Sequence, residues 1–142
     1  MESIDLDGLV RRVEACYDTI KAHARSKLEF HRNYQRMLVA LAADFGCVGE
    51  AEFEVPEMEG EYRGFIDVAW LRDSKIILAI EIDSASRQKS LKKLGKMSDC
   101  ERLWIYYGRR TDAELRQRLE FPLRLRLVCL PYAGRHSFHS SI

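Results

Sequence analysis

The sequence predicts an α/β fold in which one mixed β-sheet is flanked by helices on both faces. Three observations carry this. Helical and strand periodicities succeed one another in the order α-α-β-β-β-α-β-α-β. Two extended stretches are joined by Arg72-Asp73-Ser74-Lys75, which reads as an antiparallel hairpin, and strand–helix–strand crossovers follow it. The second stretch, Ile76-Ile77-Leu78-Ala79-Ile80-Glu81-Ile82-Asp83, is apolar on both faces until its end, as a central strand covered on two sides must be.

The elements are justified in chain order. Leu6, Leu9, Val10, Val13, Tyr17, Ile20 and Ala24 keep helical spacing and predict a first amphipathic helix. Ser26-Lys27-Leu28-Glu29 reads as a capping box opening a second, whose apolar stripe is Phe30, Tyr34, Met37, Leu38, Leu41 and Phe45, with Gly46 at the C-cap. Glu50 to Val55 alternates acids with Ala51, Phe53 and Val55, a half-buried strand. The hairpin strands run from Gly64 to Leu71 and from Ile76 to Asp83. A basic helix, Arg87 to Met97, turns Leu91, Leu94 and Met97 inward. Leu103-Trp104-Ile105-Tyr106-Tyr107 forms a compact strand, whose Tyr106 and Tyr107 could stack on bases but, mid-strand beside Trp104, are more often core. Thr111-Asp112-Ala113-Glu114 caps a short helix to about Leu119. A last strand alternates from Leu123 and continues to Leu130.

Composition narrows the class. The 142 residues are 46% hydrophobic and 32% charged with 3 Pro and 8 Gly, which excludes collagen-like and disordered chains and favours one domain over 1–142. No apolar run approaches the roughly 20 residues of a membrane span, and the acidic N-terminus lacks signal-peptide order, so a soluble cytoplasmic protein is expected. Cys16, Cys47, Cys100 and Cys129 are scattered singly and read as buried small hydrophobes rather than zinc ligands. His136-Ser137-Phe138-His139 has metal-like spacing but no partner ligands nearby, and reads as a terminal tail. No glycine-rich phosphate loop and no nucleophile–base pair supports a small-molecule enzyme. The net charge of +1 conceals segregation: residues 1–83 carry 10 basic and 17 acidic side chains, residues 84–142 carry 13 and 5. An acidic site beside a basic surface is one reading; chance segregation is the other.

Three acids interrupt apolar strands. Asp67 sits inside Gly64-Phe65-Ile66-Asp67-Val68-Ala69-Trp70, while Glu81 and Asp83 close the central strand two residues apart, on one face. A three-residue hairpin loop, pairing Arg72 with Ile76, sets Asp67 opposite Glu81. A two-residue loop opposes Asp67 to Ile80 and turns the acids to opposite faces. Carboxylates clustered on adjacent strands point to a divalent cation with oxygen ligands, Mg²⁺ or Mn²⁺.

Gly64-Phe65-Ile66-Asp67 followed by Ala79-Ile80-Glu81-Ile82-Asp83 resembles the core of the PD-(D/E)xK, or restriction-endonuclease-like, nuclease superfamily. Its α-β-β-β-α-β core corresponds to residues of about 26–107 here. The resemblance implies metal ligation by Asp67, Glu81 and the backbone carbonyl of Ile82. It offers Glu29, on the first core helix, and Glu52, in the preceding strand, as accessory acids. As the Glu of a capping box, Glu29 also has a structural explanation. The family's lysine two residues past the Glu is Asp83 here, a Glu-x-Asp variant similar to very-short-patch-repair-like endonucleases. Asp83 is then a ligand or water-positioner, and a lysine of the following helix, Lys89 foremost, with Lys92 and Lys93 also available, stands in for the missing one.

Ser84 to Lys96 holds Arg87, Lys89, Lys92, Lys93 and Lys96 with no acid, a helix suited to a phosphodiester backbone or to a solvated face. Arg109 and Arg110 extend the basic character. The function expected is metal-dependent hydrolysis of DNA, with RNA left open. A catalytically degenerate domain of the same fold, binding nucleic acid or protein, is the alternative. No membrane partner is expected, and a homodimer is left open.

Overall fold

The computed structural model describes residues 3–55, 64–133 and 138, so His136 and His139 lie outside the described residues. Helices α1 (Leu6–Ala15), α2 (Tyr17–Ala22) and α3 (Lys27–Leu41), then a 3₁₀ turn over Ala42–Phe45, precede strands β1 (Val48–Val55), β2 (Gly64–Arg72) and β3 (Lys75–Asp83). Helix α4 (Gln88–Lys96), strand β4 (Glu101–Tyr106), helix α5 (Asp112–Arg118) and strand β5 (Leu125–Cys129) follow. The strands lie in sequence order in one sheet: β1–β2–β3 are antiparallel neighbours, and β3–β4–β5 are parallel. The mixed α/β architecture is thus as the sequence predicts.

Each face of the sheet has its own core. On one, Leu9, Val13, Phe30, Tyr34 and Leu38 of α1–α3 meet Val68, Trp70, Leu78, Ile80, Ile82, Leu103 and Ile105. On the other, Leu91 and Leu94 of α4 and Leu115 of α5 meet Ala69, Ala79, Trp104 and Tyr106. Two large polar edges buried at α3 are satisfied: the Trp70 indole donates to the Leu38 carbonyl (2.9 Å) and the Tyr34 hydroxyl to that of Val13 (2.9 Å). Tyr106 and Tyr107 are core, both nearly fully buried.

Four expectations are corrected. The first helix is interrupted at Cys16, which keeps right-handed helical dihedrals, so the apolar period carries across the break. Of the cysteines only Cys47 is buried; Cys16 and Cys100 are half-buried and Cys129 is exposed. The last strand begins at Leu125, because Arg124 takes a left-handed φ of 61° and Leu123 is 85% exposed.

The fourth concerns the hairpin. Its loop has two residues, Asp73 and Ser74, both at positive φ, with Arg72 paired to Lys75 and Leu71 to Ile76. Ile77 then bulges out of the ladder, and beyond it Trp70 pairs with Leu78, Ala69 with Ala79 and Val68 with Ile80. The bulge restores the register that a three-residue loop would have given. Among the described residues, no helix is long and apolar enough to cross a membrane.

Candidate active site

Val68 and Ile80 are the last paired residues of the β2–β3 ladder, and the same register carried one step further sets Asp67 opposite Glu81. There the strands part, and the two acids occupy the backbone donors that parting would orphan. Glu81 Oε2 accepts from the Asp67 N–H (2.8 Å), and Asp67 Oδ2 accepts from the Ile82 N–H (2.7 Å). The Asp83 carbonyl is turned to β4, where it accepts from the Tyr107 N–H. Backbone alternation therefore turns the Ile82 carbonyl toward the gap beside β2.

Each helical layer sends one basic side chain into this gap. From α3, His31 Nε2 lies 3.3 Å from Asp67 Oδ2. From α4, Lys93 Nζ pairs with Glu81 Oε1 and donates to the Phe65 carbonyl (2.8 Å). Burial works against the charge on Asp67, but His31, the Glu81 hydrogen bond and the Ile82 N–H outweigh it and hold the Asp67 carboxyl below its ordinary range. Burial also opposes protonation of His31, and Asp67 overcomes that, raising the imidazole. Glu81 goes the other way. Its side chain is only 2% exposed, and burial followed by the Asp67 charge pushes its carboxyl up to about 9 despite Lys93.

Asp83 is held separately. Its Oδ2 accepts from the Trp104 indole (2.9 Å) and it shares a hydrogen bond with Ser90, yet burial outweighs both and raises it. A cleft of about 450 Å³ opens over these groups, lined by Lys27, His31, Asp67, Glu81, Asp83 and Lys93, with Arg87, Lys89 and Ser90 on its α4 side.

The structure thus brings together Asp67, Glu81, Ile82, Asp83, Arg87, Lys89 and Lys93. Lys92 is exposed, and Lys96 lines a different cleft beside Lys75 and Cys100. Glu29 caps α3: its N–H donates to Ser26 Oγ (3.1 Å), and its Oε1 accepts from the Arg25 N–H (3.1 Å). Glu52, at a positive φ of 53°, is linked to the site through Gln35, whose Nε2 donates to Glu52 Oε1 (3.1 Å) and to the Asp67 carbonyl (2.9 Å), and its charge also acts on His31. Among the described residues, no three His, Cys, Asp or Glu side chains form a ready-made metal cluster.

Sequence reasoning missed His31 and Gln35. The signal was the polar row Lys27, His31, Gln35, spaced four apart beside the apolar stripe of α3, so that all three look at the same strand ends. Comparison of the chain with protein-family models, with curated proteins and with solved structures returned no match.

Proposed function

We propose that this protein is a divalent-metal-dependent nuclease that hydrolyses DNA phosphodiester bonds, built on a PD-(D/E)xK-type core. The observation that carries the reading is the meeting of Asp67 and Glu81 at the parted ends of two strands, with an ammonium from the next helix on Glu81. The donor set suits a hard cation. Mg²⁺ is usually held by one or two carboxylates while its other positions go to water and substrate phosphate. The proton that burial fixes on Glu81 is the one a cation would displace.

Asp67, Glu81 and the Ile82 carbonyl would hold Mg²⁺ or Mn²⁺, which when bound supplies an acidified water and offsets phosphate charge. The chain's own groups do the rest. Lys93 sets its Nζ against Glu81, in the role left open by Asp83 at the family's lysine position. Asp83, held by Trp104 and Ser90, would accept a hydrogen bond from the attacking water. His31 holds the Asp67 carboxylate in one orientation. Arg87, Lys89 and Lys27 line the cleft where the sugar–phosphate backbone approaches.

The side-chain contacts also favour a second reading. His31 and Lys93 already engage both acids, as they would in a degenerate domain that binds nucleic acid without cutting it. Cleavage of plasmid and oligonucleotide DNA with Mg²⁺ or Mn²⁺, comparing wild type with Glu81→Ala, separates the two. Metal-dependent cleavage lost in the variant supports the nuclease. DNA binding with no cleavage at any metal concentration supports the degenerate domain.

A further inference from the structure

A second cleft, of about 490 Å³, adjoins the acidic one. Lys27, Ser84 and Ala85 line both, so the two open side by side across the Ser84-Ala85 turn. Their chemistry differs. Arg109, Arg110 and Tyr132 line the second, and the acid among its lining residues, Glu114, is committed to the α5 cap, where its Oε1 accepts from the Thr111 N–H (3.1 Å).

The cations stand on a fixed loop. The Arg110 N–H donates to the Tyr106 hydroxyl (3.1 Å), and Tyr106 is buried in the core. Gly108 allows the loop to close: a Cβ there would meet the Tyr106 hydroxyl at 2.3 Å and the Ser84 carbonyl at 2.4 Å. The Arg109 guanidinium lies over the Tyr132 ring, 4.7 Å from its centroid, and both side chains are exposed. A guanidinium over a tyrosine is a planar, cationic platform, and it sits at the edge of a cleft with Arg110 and Lys27.

We infer that this second cleft is a subsite for an unpaired nucleotide adjoining the scissile phosphate. Its base stacks on the Arg109–Tyr132 platform, and its phosphate is held by Arg110 and Lys27. A planar ring system joined to an anion matches the platform and the cations together. A base inside a duplex has both faces covered by its neighbours, so only an unpaired strand can present one to the platform. The preferred substrate is therefore single-stranded DNA or a frayed end. The word "scissile" rests on the nuclease reading; the binding itself does not.

The test is equilibrium binding of the full chain in EDTA, read by fluorescence anisotropy over a salt series. The probes are a 12-nucleotide oligothymidylate and a blunt duplex of about the same length. Single-stranded DNA should bind more tightly than duplex. Tyr132→Leu should weaken single-strand binding by roughly fivefold to a hundredfold, the range for one stacked base, with duplex binding unchanged within about twofold. Tyr132→Phe, which keeps the ring, should bind as wild type. Arg110→Ala should lower the slope of log affinity against log salt by about 0.7, one phosphate's worth on a single strand. Equal or tighter binding of duplex, or a Tyr132→Leu variant within twofold of wild type on the single strand, overturns the inference. If those binding effects appear while no metal cleaves DNA, the subsite stands and the nuclease reading falls. If Glu81→Ala abolishes cleavage while Tyr132→Leu binds normally, the reverse holds.

Discussion

Glu81→Gln tests the electrostatics of the carboxylate pair directly. Burial, then the Asp67 charge, raises the Glu81 carboxyl from 4.5 to about 9. Between those values the folded chain keeps a proton that the unfolded chain releases, so wild-type stability is fullest below pH 4.5 and falls as pH rises toward 9. At pH 7.5 the protonated carboxyl stands about three pH units above its ordinary value, a penalty of about 4 kcal/mol at 1.36 kcal/mol per unit. That figure is a ceiling, because water entering the gap relaxes it. The amide nitrogen carries two hydrogens where the protonated carboxyl oxygen carries one, so one contact, to Lys93 or to the Asp67 N–H, loses its acceptor at a pH-independent cost of about 1 kcal/mol. The variant should therefore exceed wild type by about 1–2 kcal/mol at pH 7.5 in EDTA, and the order should invert near pH 5. Thermal unfolding by circular dichroism at pH 5 to 9 measures both. Mg²⁺ at tenfold its dissociation constant should add about 1.4 kcal/mol to wild type and nothing to the variant. A variant-minus-wild-type difference that stays flat from pH 5 to 9 refutes the reasoning.

Two further outcomes follow from side-chain placement. Lys93→Met should lower metal-dependent cleavage by about a hundredfold or more, since Nζ touches Glu81, while Lys89→Met, on the rim, should lower it by less than about tenfold in the same steady-state assay. Gly108→Ala should cost about 1–3 kcal/mol in urea unfolding, because its Cβ must displace the Tyr106 hydroxyl and the Ser84 carbonyl.

The element order and the two acids were legible because apolar periodicity reports which strands are covered, and an acid inside such a strand stands out. Their pairing was not, because the two-residue turn alone would set them on opposite faces and only the bulge at Ile77 brings them together. Thr111 and Glu114 form the reciprocal cap that their spacing predicts. What lay beyond the sequence was set by contacts between distant elements. Lys89, Lys92 and Lys93 are equivalent as sequence; only the docking of α4 on β2 and β3 decides that Lys93 reaches Glu81. His31 looks like any surface histidine until α3 is laid across the strand ends. The final strand illustrates the converse: Leu123 and Arg124 continue the alternation, but the left-handed φ at Arg124 breaks the extended conformation that alternation presupposes.

The hairpin carries one more consequence, which is arithmetical. Thirteen residues, 68 to 80, separate Asp67 from Glu81. A regular hairpin closed by a two-residue turn pairs its residues two by two and so always encloses an even number; Ile77 is the remainder. Deleting Ile77, or inserting one residue at the turn, should leave the acids facing each other in an unbulged ladder. Left at thirteen, the chain could discard the bulge only by slipping one place. That slip would turn Leu78, Ile80 and Ile82 out of the α3-side core and rotate Glu81 into it. The hydrophobic core thus forbids the more regular ladder. The geometry of the acid pair is held by the packing of three aliphatic side chains that carry no chemistry of their own.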